Sequence, residues 1–303
     1  MTLPAAPFGR VLTAMVTPFK PDGSVDLDAV ARVANHLVEN GNDGIVVSGT
    51  TGEAPTTSVA EDGEILRAVI DAVGDRATVV AGVGTNHTEH SVELNEQAQK
   101  AGADGVLLVS PYYNKPTQAG IAAHFEAVAA ASDLPVMLYD IPGRTGVTIA
   151  PETYARIAGN EKFVAVKDAV GDLFRGARIM AETGLAFYSG DDVLNLGWLT
   201  HGGCGVVSVV GHVAGNEYAA MAACVDKGDL DGALRIYRDL LPVVDAIMNH
   251  APGVMTAKAA LELLGVTDNR VVRLPLVQAD DEQVARVRDV LAAAGLLSGT
   301  ARA

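Results

Sequence analysis

The run FVAVKDAV (residues 163–170) places a lysine near the end of a strand-like apolar segment. An ammonium taken out of water costs several kcal/mol (~) unless it is paired or loses its proton. Three readings of Lys167 follow: a solvent-directed lysine at a strand end, half of an ion pair with Asp140, Asp191 or Asp192, or a nucleophile. Strand alternation puts Phe163, Ala165 and Lys167 on one face and Val164, Val166 and Asp168 on the other. If the first face points inward, the small Ala165 leaves room for the lysine stem. Desolvation, or a cation such as Arg144, lowers an amine pKa by several units, which suits Schiff-base formation with a carbonyl. Imine chemistry also needs proton transfers, and the hydroxyls of Tyr139, Thr50 and Tyr113 can form a relay if they are brought together.

These groups fall at the ends of apolar runs. GTTGE (49–53) offers two hydroxyls and closely spaced backbone N–H groups that suit a small carboxylate, or else a plain βα turn with threonine caps. PYYNKP (111–116), YDIPGRTG (139–146), Lys167-Asp168 and SGDD (189–192) end four further runs. Singly each has an ordinary turn reading; on one common rim they form a site.

Eight short apolar runs occur, at 11–19, 43–49, 78–84, 105–111, 135–142, 163–169, 186–192 and 205–211, with helical segments between them. Asp26 caps a helix whose stripe is Leu27, Val30, Val33, Ala34, Leu37 and Val38, closed by Gly41. Ser58 and Glu61 have capping-box spacing. Strands alternating with helices are parallel, and eight of them predict a (β/α)8 TIM barrel rather than a doubly wound open sheet, because no GxGxxG follows the first strand. From Asp229 the strand signal stops and helices are expected over 229–249, 254–264 and 280–294. The chain thus divides into a barrel (1–228) and a C-terminal helical region (229–303). Active sites of such barrels lie at the C-terminal strand ends, where all of these motifs fall.

Composition narrows the function class. Against 22 Lys and Arg stand 37 Asp and Glu, a net charge of −15, which argues against nucleic acid as a partner. The two cysteines, Cys204 and Cys224, have no CxxC spacing, so a reducing cytoplasm is expected. The N-terminal MTLPAAPFGR lacks signal-peptide pattern, and no apolar run is long enough for a bilayer. His87 and His90 share a helix face, but the spacing is not HExxH and no third metal ligand is evident.

In order and spacing, GTTGE, PYYNKP, YDIPGRTG, VKDA and SGDD resemble the pyruvate-dependent class I aldolase/N-acetylneuraminate lyase family over nearly the whole chain. The resemblance implies that Lys167 forms an imine with pyruvate and that Tyr139 shuttles protons with Thr50 and Tyr113, the latter supplied by a neighbouring subunit. It implies that Thr51 holds the pyruvate carboxylate and that the main chain at Gly190 and Val207 lines the pocket. Arg144, placed to pair with the carboxylate of an acceptor, favours the branch that condenses pyruvate with L-aspartate 4-semialdehyde on the route to diaminopimelate and lysine. Sugar-acid lyases of the family are the alternative. No metal or cofactor is implied, and a homotetramer is. Asp140 departs from the asparagine common after this tyrosine. The feedback pocket for lysine matches only at Tyr112, Asn86 and His90; Ala54, Pro55, Val59 and Asp62 differ, so weak or absent lysine inhibition is expected. Two readings outside this chemistry stay open: a divalent-metal aldolase using Asp140, Asp191 and Asp192, and a catalytically silent barrel that binds a small acid.

Overall fold

Each apolar run becomes one strand of a closed parallel barrel: β1 (Val11–Ala14), β2 (Gly44–Val47), β3 (Thr78–Gly82), β4 (Gly105–Val109), β5 (Val136–Asp140), β6 (Phe163–Asp168), β7 (Ala186–Ser189) and β8 (Gly205–Ser208). This computed structural model describes residues 5–297; the outer ends of the proposed N- and C-terminal regions, and the first four residues of MTLPAAPFGR, lie outside it. β8 pairs with β1 and closes the sheet, Leu12 lying opposite Val207.

Local signals set the helices. Asp26 accepts from the N–H of Ala29 and starts the helix Leu27–Glu39, while Ser58 and Glu61 form a reciprocal capping box at Val59–Val73. In the first helix Leu27 is 37% exposed, and Ala29 takes its place in the buried stripe. After β8 and the helix Gly211–Asp226 come helices Leu230–Met248, Gly253–Leu263 and Asp281–Ala293. They share an apolar cluster with Val11 and Val206 on the barrel's outer face.

Two apolar layers result, as expected for a barrel packed inside and out. The interior holds Leu12, Ala14, Val46, Val80, Leu107, Met137, Tyr139, Ala165, Tyr188 and Val207. Phe8 is packed with this set, its N–H donating to the Tyr188 hydroxyl at 3.1 Å.

The face assignment of β6 needs one correction. Phe163 packs in the outer layer with Val136 and Leu138, whereas Ala165 lies inside. The register explains it: Phe163 pairs with Val136 but Ala165 with Met137, so Val164 is an extra residue and also turns inward. From Ala165 onward the alternation holds.

Candidate active site

Tyr139 and Lys167 are direct partners on adjacent strands, and Tyr188 is the next partner across β7. This register, together with inward parity, sets the amine beside the phenol. Lys167 Nζ lies 4.4 Å from the centroid of the Tyr139 ring, a cation–π arrangement, and the residue is 5% exposed. Gly190 explains how the lysine fits: a Cβ there would stand 2.9 Å from Lys167 Cγ and 2.9 Å from the Asp168 carbonyl oxygen. The main chain at Gly190 therefore abuts the lysine stem, and its N–H donates to Asp168 O at 2.7 Å.

The strand-end lysine is thus neither solvent-directed nor ion-paired. Among the described residues no carboxylate comes within ion-pairing distance of it; the three aspartates considered as partners are engaged elsewhere. Asp140 points out of the barrel, where Oδ2 pairs with Arg175 at 3.1 Å and accepts from Thr148 Oγ1 at 3.0 Å and from the Tyr154 hydroxyl at 3.3 Å. Asp168, on the same outer side, lies 3.6 Å from the other Arg175 nitrogen. Asp192 accepts from Ser208 Oγ, from the N–H groups of Val209 and Val210, and from Asn195. Asp191 caps a short turn at Val193. Arg175 gives no motif signal in the sequence, but parity does: the neighbours of two inward residues must face outward.

Burial decides the protonation chemistry. Desolvation lowers the Lys167 pKa to about 8; the negative field of Asp192 opposes the shift and the cation of Arg144 assists it. Burial holds the Tyr139 phenol well above its usual range, with Arg144 countering and Asp191 adding to the effect, so the phenol is a proton-bearing group at rest. Burial likewise raises Asp140, despite Arg175, and carries Asp168 to about 6.

Above this pair opens a cavity of about 540 Å³. Its wall includes Thr50, Tyr113, Tyr139 and Arg144, and also Tyr112, Asn86 and His90. Three of the four residues expected to be catalytic, Thr50, Tyr113 and Tyr139, therefore line the same cavity as the expected effector set. Lys167 is just behind Tyr139 and not in the wall; Thr51, Gly190 and Val207 are also outside it. Val207 is an interior barrel side chain, 1% exposed. Tyr113 has φ +71° and is 87% exposed at the rim. Asp62 lines the cavity too and accepts from Thr57 Oγ1 at 2.8 Å; its burial raises its pKa. His87 and His90 stand 3.7 Å from Glu89 and Glu93 respectively.

The profile of the dihydrodipicolinate synthetase family matches residues 7–294. The chain belongs to this family. It is 59% identical over 293 residues to the 4-hydroxy-tetrahydrodipicolinate synthase of Kineococcus radiotolerans, covering 97% of this chain and 95% of the relative. The corresponding protein of Acidothermus cellulolyticus is 58% identical over 294 residues, with the same coverage. Among solved structures, the family enzyme of Cyanidioschyzon merolae with lysine bound superposes with a TM-score of 0.93 at 45% identity, covering 97% of this chain and 100% of that one. Family membership agrees with the barrel, with the order of the motifs and with a lyase assignment.

Proposed function

We propose that the chain is a 4-hydroxy-tetrahydrodipicolinate synthase that condenses pyruvate with L-aspartate 4-semialdehyde through an imine on Lys167. One observation carries the reading: a buried, unpaired lysine with a depressed pKa, held against a protonated buried phenol below a cavity whose wall carries Thr50, Tyr113 and Arg144. The names of relatives at 46–59% identity support the same reaction.

The neutral amine attacks the ketone carbon of pyruvate, forming a C–N bond, and Tyr139, working with Thr50 and Tyr113, moves protons so that the carbinolamine loses water. The GTTGE turn, through Thr51 and its backbone N–H groups, holds the pyruvate carboxylate. Loss of a methyl proton from the iminium gives an enamine, whose carbon attacks the aldehyde of the acceptor. The amine of the acceptor then closes the ring and displaces Lys167. Arg144, exposed on the cavity wall, receives the acceptor carboxylate through its planar guanidinium. The iminium is the electron sink of this sequence, so no cofactor takes part. Asp140 and Asp192, tied to outer and loop partners, are poorly placed to act as a metal set.

The exposed ring of Tyr113 at the rim suits exchange between subunits, and we place the enzyme as a cytoplasmic homotetramer built from tight dimers. Among the family's solved structures is one described as a monomeric variant. No helix among the described residues is long and apolar enough to cross a membrane. Tyr112, Asn86 and His90 form a partial effector pocket in the same cavity.

The test is reduction with borohydride in the presence of pyruvate. A pyruvyl adduct on Lys167 is expected; folded, pyruvate-saturated protein without one refutes the mechanism. Turnover with aspartate 4-semialdehyde but not N-acetylmannosamine is expected, and the reverse preference would assign a sugar-acid lyase instead.

A further inference from the structure

Glu53, the last residue of GTTGE, is absorbed by none of the roles above, yet it is 2% exposed. Its backbone is left-handed, φ +59°, as is that of Ser48 at φ +52°, so two non-glycine residues in a disfavoured conformation bracket the turn. Such conformations persist where the surroundings over-determine them. For Glu53 those surroundings come from the far end of the chain. Its Oε1 accepts from Lys258 Nζ at 2.5 Å and its Oε2 from the Arg273 N–H at 2.9 Å. Lys258, on the helix Gly253–Leu263, is 3% exposed and also donates to Val271 O at 2.7 Å. Lys258 Nζ and Arg273 Cζ lie 4.2 and 4.3 Å from the centroid of the Phe19 ring. Arg273 is held in turn by Glu61, at 2.6 Å, and by the carbonyl of Thr56 at 2.8 Å.

Between the two left-handed residues, the N–H groups of Thr50, Thr51 and Gly52 donate to no acceptor among the described residues, while the turn is pinned through Thr17 Oγ1 to Gly52 O at 2.7 Å and the Glu53 N–H to Thr50 O at 3.2 Å. Successive unsatisfied N–H groups beside a left-handed residue form an anion-binding concavity. A bare carboxylate at Glu53 would repel an anion in that concavity, and it cannot stay buried unpaired. Lys258 answers both problems: it cancels the charge and draws the Glu53 side chain away from the cavity wall.

We propose that Lys258 and Glu53 are positioning residues for the pyruvate carboxylate, through which the C-terminal helical region sets the geometry and charge of the GTTGE turn. The inference rests on the imine reading above and adds a role for a region remote from the chemistry in sequence.

The experiment measures how trapping of the Lys167 pyruvyl adduct by borohydride depends on pyruvate concentration, alongside the steady-state KM for each substrate. Lys258→Met leaves a buried carboxylate unpaired and puts the fold at risk, so Glu53→Gln, which keeps the shape and removes the charge, is the second variant; circular dichroism identifies folded material. In folded Lys258→Met the pyruvate concentration for half-maximal trapping should rise about fivefold or more, and in folded Glu53→Gln, which removes the repelling carboxylate and leaves the cation, it should fall about threefold or more, while the aspartate semialdehyde KM stays within about twofold in both. The double variant, with neither charge, should lie between the two single variants, because the two residues act as a unit. Half-saturation by pyruvate in folded Glu53→Gln that is within about twofold of the parent or above it, or equal changes for both substrates, would overturn the proposal. A parent protein that gives no adduct refutes the imine reading itself; a trapped parent with unshifted variants refutes only the positioning role.

Discussion

Raising the pH from 6 to 10 should titrate Lys167 far earlier than an ordinary lysine, and the imine-forming rate should follow. With its pKa at about 8, about one molecule in eleven carries the neutral amine at pH 7; at the ordinary value of 10.5 the fraction is about one in 3000. Burial is thus worth a gain of roughly 300-fold in competent nucleophile at neutral pH. The assay is the initial rate of reductive trapping at pyruvate far below saturation, with reductant in excess so that imine formation limits the rate. The rate should climb about tenfold per pH unit below 7 and level off above roughly 9, about one pH unit beyond the midpoint. In Arg144→Ala the midpoint should move upward, since a neighbouring cation is removed, but stay below 10.5 because desolvation is the larger cause. A rate that keeps rising through pH 10 in the parent protein would refute the link between burial and reactivity.

The same burial has a stability consequence. Below pH 8 the folded and unfolded chains both hold the Lys167 proton and the full cost of burying the cation is present. Between 8 and 10.5 only the unfolded chain stays protonated and the cost shrinks; above 10.5 it is gone. Lys167→Met should therefore abolish adduct formation yet stabilise the fold at pH 7 by up to about 3 kcal/mol, a gain that fades above pH 8 in denaturant titrations; destabilisation at pH 7 would count against it. If Tyr113 acts across subunits, mixing inactive Tyr113→Phe and Lys167→Ala chains should restore activity, whereas a cis role predicts none. Millimolar lysine should inhibit weakly or not at all, because the expected pocket keeps Tyr112, Asn86 and His90 but carries Asp62, a half-buried carboxylate, in its wall; strong inhibition in a steady-state assay would reverse this reading.

Much of the architecture was legible because it rests on short-range chemistry. The eight runs, the capping box at Ser58 and the three C-terminal helices follow from alternation, side-chain competition for backbone donors, and helical periodicity, each confined to a few neighbouring residues. The convergence of GTTGE, Tyr139, Lys167 and Arg144 also followed, since parallel strands in a barrel deliver their C-terminal ends to one rim. Tertiary structure alone decided what those residues became. One extra residue in β6 turned Phe163 outward, a cross-strand register effect that no pattern within the strand encodes. Asp140 found Arg175, 35 residues on, and Glu53 found Lys258, 205 residues on. A charge finds its partner through three-dimensional packing, so sequence distance carries no trace of it. The nucleophile shows the same division: sequence placed Lys167 at a strand end, and only the closed barrel, by removing water from around it, lowered its pKa.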